Sequence, residues 1–150
     1  MDWSHKNSII LTKICIILFG IAYIATVLAC PVIVREYVAV SYTAKDLIPG
    51  LFMATIYICA APVGILLWKL WGLVVNIGEE KVFTEENIRS LRIISWMCFA
   101  VAAVTLASVW YYLFWGIAAG LMVFMGLLIR VIKNIFEKAK ELKDENDFTI

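Results

Sequence analysis

Charge is scarce in this chain and absent from long stretches of it. Asp, Glu, Lys and Arg make up 17% of the 150 residues, while 63% are hydrophobic. Soluble domains run at ~25% charged and roughly 45–50% apolar. A 17.0 kDa chain has one small interior and cannot bury such an excess. The surplus must face lipid, which excludes a soluble enzyme, a disordered chain and a direct binder of nucleic acid. The formal net charge is only +1, so no overall field recruits an acidic partner. Histidine occurs once, as His5 in the N-terminal tail, which supports neither a catalytic triad nor a metal site. The cysteines Cys15, Cys30, Cys59 and Cys98 include no C-x-x-C pair. Metal binding and thiol redox chemistry are therefore not expected, and the thiols read as small apolar side chains. Cys30 stands nearest the outer surface and is the cysteine expected to react. With no nucleophile–base pair and no metal cluster in view, neither an enzyme nor a cofactor is expected.

What is present is four long apolar stretches. A hydrocarbon core of ~30 Å needs about 20 helical residues. The expected spans are about 14–34, 47–75, 93–110 and 116–132, the last two short but flanked by aromatic residues. Only Arg35 and Lys45 lie between the first two spans, and no Lys or Arg lies between the last two. The other cations gather at the N-terminal tail, the 76–92 connection and the C-terminal tail. The positive-inside rule then places both termini in the cytoplasm. The expected fold is an all-α, four-transmembrane-helix bundle of the cell membrane, with cytoplasmic helical extensions. Val27-Leu-Ala-Cys30 faintly resembles a lipoprotein cleavage box, but the apolar run is long and Pro31 follows, so the first span is expected to be retained. The outer loop 35–46 alternates weakly (Tyr37, Ala39, Ser41 against Val38, Val40, Tyr42) and reads as a short ribbon or a surface segment. The turn Val109–Trp115 reads as an interfacial aromatic belt, and Trp68 and Trp71 bracket Lys69 at the inner side.

The expected spans hold no Asp, Glu or His. Proton-coupled exporters need a titratable group at depth, and none is supplied. Thr26, Thr55, Thr105 and Ser108 are the polar residues there, each able to bond a carbonyl one turn back. Gly116-x-x-x-Gly120, Ala60-x-x-x-Gly64 and the pair Ala103 and Ala107 have helix-packing spacing, within one chain or in a homo-oligomer. Pro62 should kink the second span or free a carbonyl, and beside small residues it offers a cavity for a lipid or small hydrophobe.

Polar sequence concentrates in the hairpin 76–92 and the amphipathic tail 130–150. Gly78 suits a C-cap and Thr84 an N-cap, with Glu85 and Glu86 favoured by the helix dipole. Phe83 and Ile88 have staple spacing. In the tail, Ile132, Ile135, Phe136, Ala139 and Leu142 form one apolar stripe, and Lys133 and Glu137 are spaced to pair. Helix capping alone explains the hairpin residues; a binding role in addition stays open.

Val82-Phe-Thr-Glu-Glu-Asn87, Leu91-Arg-Ile-Ile94 and the closing Glu141–Ile150 resemble a bacterial family of small four-span proteins known as domain of unknown function twenty-nine seventy-five. The family brings no catalytic residues. The resemblance implies a partner, because members are often encoded beside a very small helix-turn-helix regulator. A regulatory membrane protein that binds this regulator through its cytoplasmic face is the first functional expectation. The residues expected to serve are Phe83, Thr84, Glu86, Asn87, Arg92, Asn146, Asp147, Thr149 and Ile150. The second expectation is a lipid- or small-molecule-binding or transport protein using the cavity near Pro62.

Overall fold

The computed structural model describes residues 3–40 and 49–147, with the side chains of 7–40 and 49–146. They form four helices: α1 Trp3–Val40, α2 Pro49–Gly78, α3 Glu85–Ala107 and α4 Trp115–Asp147, with a single 3-10 turn at Ser108–Trp110. All four are long and apolar enough to cross a membrane. The most apolar window of α3 is 39% buried, against 11% for those of α1 and α4, so α3 is the central helix.

The helices pack in chain order, α1 on α2, α2 on α3 and α3 on α4, with α3–α4 the most extensive contact. Among the described residues no extensive packing joins α1 to α4. Lipid is as apolar as a leucine side chain, so nothing forces such a bundle to close. Small side chains and hydrogen bonds set the contacts instead. At Gly126 a β-carbon would stand 2.9 Å from the Phe99 ring, and Ser95 Oγ donates to Gly126 O at 2.8 Å. These two contacts lock α3 to α4.

Both intrahelical prolines are carried without ending their helices. Pro31 has no N–H, which leaves the carbonyl of Val27 without its helical donor. Tyr57 of α2 reaches across and donates to Val27 O at 3.4 Å. In the other direction, Tyr23 of α1 donates to Ala60 O at 3.0 Å, beside Pro62. Gly64 makes room for it, since a β-carbon there would lie 3.1 Å from the Tyr23 hydroxyl. The Ala60–Gly64 pair is thus a packing site.

Several expectations are corrected. Residues 35–40 continue α1 as helix rather than forming a ribbon, while 41–48 lie outside the described residues. No atom outside its own helix and chain neighbours lies within 4 Å of where a β-carbon at Gly120 would stand, and Ala103 and Ala107 are exposed, so neither spacing marks a helix contact within the chain. The buried face of α3 instead carries Cys98, Val101, Ala102 and Thr105. Cys30, expected to react, is 1% exposed, whereas Cys15 is exposed. Gly78 is helical, and the left-handed position that ends α2 falls on Glu80, with φ 63°. There Lys81 N–H bonds Asn76 O at 3.0 Å and Glu80 N–H bonds Ile77 O at 3.2 Å. That is a Schellman closure with Glu80 where glycine is usual.

Candidate functional site

Two regions gather the side chains that carry information. The first is the α2–α3 connection together with the far half of α4. Thr84 caps α3, its hydroxyl accepting from Asn87 N–H at 3.3 Å, with Glu85 and Glu86 in the first turn. Asn87 is wholly buried. Its amide donates to Lys81 O at 2.7 Å and Val82 O at 2.8 Å, and its carbonyl accepts from the Asn76 amide at 2.9 Å. One side chain thus ties both arms of the hairpin. α4 has 33 residues, about 50 Å at 1.5 Å each, and so overruns a ~30 Å hydrocarbon core. Its overrun lies along the start of α3. Phe136 packs edge-on against Phe83 at 5.3 Å, Glu137 pairs with Arg92 at 3.1 Å and with Lys133 at 2.8 Å, and Lys140 pairs with Glu85. The apolar stripe of the tail divides: Phe136 and Ala139 are partly buried, while Ile132, Ile135 and Leu142 are exposed. In the connection, the Lys81 ammonium at 2.9 Å holds the Glu79 carboxyl below its ordinary pKa.

Of the residues expected to meet a partner, Phe83, Thr84, Asn87 and Arg92 have internal tasks. Phe83 remains 41% exposed beside its ring contact. Glu86 and Asn146 are exposed, and among the described residues neither has an ion pair or hydrogen bond. Asp147 ends α4, its side chain outside the described set, and Thr149 and Ile150 lie outside the described residues altogether.

The second region is a partly open cavity of about 410 Å³, lined on α2 by Ala60 and Val63 on either side of Pro62, which does not itself line it. Its walls include Tyr23 and Thr26 of α1, Cys59 and Val63 of α2, Thr105 of α3 and Met122 of α4. The few hydroxyls are committed. Tyr23 donates to Ala60 O, Thr26 to Ala22 O at 2.8 Å, and Thr105 to Val101 O at 2.9 Å. A ligand there meets no free hydroxyl proton and no charge.

The end of the cavity nearest the α3–α4 turn is closed by a plug. Phe52 sits among Tyr37, Tyr111, Tyr112 and Trp115, with ring centroids 5.1–6.0 Å away. The expected belt therefore splits. Trp110, Leu113 and Phe114 are exposed, while Tyr111, Tyr112 and Trp115 turn inward. Thr55 departs from the one-turn-back pattern. Its hydroxyl lies 2.6 Å from that of Tyr111 and 2.8 Å from that of Ser108, and Ser108 donates to Val104 O at 2.9 Å. Each proton is used once if Tyr111 donates to Thr55 and Thr55 to Ser108. This chain joins α2 to the turn. Trp115 Nε1 is the one buried side-chain donor without an acceptor among the described residues.

Periodicity could not find Asn87 or Thr55 as bridging residues, because their partners come from other elements. Gly126 was missed because no small residue stands four positions away on either side.

No group of three or more His, Cys, Asp or Glu able to hold a metal occurs among the described residues. No curated protein and no solved structure matches the chain. A family model does match, over residues 33–150, from within α1 through all of α2, α3 and α4. The chain belongs to the family described as protein of unknown function, DUF2975.

Proposed function

We propose that this is a multi-pass protein of the cell membrane that holds one apolar molecule, of the class of a lipid chain or small hydrophobe, in the cavity beside Pro62. The observation that carries the reading is the cavity itself, about 410 Å³ and walled by all four helices. That size falls in the usual range of ligand pockets, ~300–1,000 Å³, and exceeds the ~150 Å³ that admits benzene in an engineered core. Its committed hydroxyls favour an apolar guest over a headgroup. Because α1 and α4 are not packed along each other, the open side lies between them, where a lipid chain can enter from the bilayer. Binding rather than proton-coupled transport fits the lack of Asp, Glu and His in the expected spans. The test uses the full chain in neutral detergent. Native mass spectrometry should find a retained apolar mass on the parent, and Ala118→Phe or Ala22→Phe should release it while circular dichroism stays unchanged. A parent with no retained mass and no binding of an added apolar dye refutes the reading.

A second reading keeps the regulator. With both termini cytoplasmic, as Lys and Arg placement argues, the overrun of α4 projects into the cytosol beside Glu86. Its support is that Glu86, Asn146 and Leu142 are exposed and that the α4 overrun continues past its last contact with α3. A small helix-turn-helix regulator, basic on its DNA-reading face, suits such a carboxylate-bearing surface. Co-purification of the regulator with the full chain, but not with a chain ending at Leu142, is expected. Equal recovery removes the tail from the interaction. A tag after Ile150 that an impermeant reagent reaches in intact cells overturns the orientation.

A further inference from the structure

Arg130 is the one cation of α4 that falls within the apolar stretch 116–132; Lys138 and Lys143, which also have no ion pair or hydrogen bond among the described residues, lie in the polar overrun. Lys133 and Lys140 bond carboxylates, as does Arg92 facing them. Arg130 has no ion pair or hydrogen bond among the described residues. It follows Trp115, the first residue of α4, by roughly 22 Å of helix, which is short of the ~30 Å hydrocarbon thickness. Its side chain is also aimed the wrong way for escape. The guanidinium carbon lies 5.3 Å from the centre of the Trp96 ring and 5.9 Å from that of Phe99. Ser95 is level with Gly126, as its bond to that carbonyl fixes, so on the antiparallel α3 the backbones of Trp96 and Phe99 lie a turn or more toward the membrane middle from Arg130, and the Phe99 ring rests against Gly126, one turn before Arg130. Helical side chains lean toward the helix N-terminus, and Arg130 follows that lean instead of reaching back to the polar interface.

An arginine in hydrocarbon without an anion is costly, and two ring faces offset only part of that cost. The remaining demand is for one negative charge. It must be reachable from lipid, because Arg130 is exposed and Trp96 is 54% exposed on the outer face of the α3–α4 pair. The indole N–H of Trp96 likewise has no acceptor among the described residues, and the guanidinium carbon lies 5.3 Å from the centre of that ring. A planar guanidinium fork suits the two free oxygens of a phosphodiester, and an indole on the same patch carries a further unpartnered donor. A phosphate carried on acyl chains is the anion whose apolar part already lies along these helices. A net anionic lipid fits better than a zwitterionic one, because the latter brings its own cation to the site.

We propose that Arg130 and Trp96, backed by Phe99, bind the phosphate of an anionic phospholipid in the leaflet at the α2–α3 connection end. The site is separate from the cavity beside Pro62, and neither depends on the other. The test is thermal unfolding of the full chain in neutral detergent with added phosphatidylglycerol, phosphatidylcholine or inorganic phosphate. Phosphatidylglycerol should raise the parent's Tm saturably and well beyond phosphatidylcholine. Arg130→Gln should weaken the apparent affinity at least about tenfold, the lower bound for losing a charge-assisted bond, and Arg130→Lys should retain part of it. If Arg130→Gln fails to fold, a preference for bound phosphatidylglycerol in native mass spectra of the parent, reduced in Arg130→Lys, gives the same reading. Equal shifts with both lipids, or an unchanged response in Arg130→Gln, overturn the proposal. So does saturation by inorganic phosphate alone, which would mark a free-anion site. A parent that is dimeric without lipid and monomeric as Arg130→Gln also overturns it, in favour of a carboxylate from a second copy.

Discussion

Replacing Asn87 with aspartate changes almost no volume and tests the hairpin directly. The amide nitrogen of Asn87 donates to two carbonyls, Lys81 O at 2.7 Å and Val82 O at 2.8 Å. Aspartate puts an oxygen there, so both bonds are lost and oxygen faces oxygen. The Asn76 amide keeps its acceptor. Two ordinary bonds contribute about 0.5–1.5 kcal/mol each, and an unsatisfied buried group costs about 1–3 kcal/mol. The side chain is wholly buried, so water cannot make good the loss. Together these give a destabilisation of about 3 kcal/mol for Asn87→Asp. Asn87→Ser, which keeps one short donor, should fall between the variant and the parent. The assay is unfolding by sodium dodecyl sulfate in mixed micelles, followed by fluorescence of the six tryptophans. Lowering the pH should recover part of the Asn87→Asp loss, since a protonated carboxyl donates again. An Asn87→Asp protein within about 0.5 kcal/mol of the parent, below the value of a single bond, refutes the argument that this residue holds the connection.

Other perturbations follow from individual contacts. Gly126→Ala places a β-carbon against Phe99 and should cost about 1–3 kcal/mol by overpacking; adding Phe99→Leu should recover most of it in the same unfolding assay. Tyr57→Phe should cost about 0.5 kcal/mol, the usual worth of an interhelical bond in a membrane protein. In a Pro31→Ala background, where Val27 O regains its helical donor, the same change should be neutral; a loss of equal size in both backgrounds refutes the link. Glu80→Gly removes a left-handed strain of about 1–2 kcal/mol, less the entropy cost of glycine, so the melting temperature should rise slightly. A micelle-soluble thiol reagent should modify Cys15 well before Cys30, read by mass spectrometry of the labelled peptides.

The parts of this protein legible in one dimension are those set by length and by neighbours along the chain. Four apolar stretches gave four helices because a run of that length with at most one charge suits a bilayer and little else. The Thr84 cap, the Lys133–Glu137 pair and the back-bonded hydroxyls of Thr26, Thr105 and Ser108 depend on partners three or four residues away. Fold class and family membership were therefore readable before any coordinates. The rest was decided between helices. In water, polar and apolar faces reveal which side of a helix turns inward. Here the lipid-facing and protein-facing sides are equally apolar, so Gly116–Gly120 and Ala103–Ala107 looked as much like contacts as Ala60–Gly64. Only the packed structure showed Gly126 beneath Phe99, Tyr57 serving the carbonyl freed by Pro31, Thr55 joined to Tyr111, and the exposed Arg130 over the Trp96 ring. The cavity and the unpaired cation arise where distant segments meet or fail to meet, and no local pattern records that.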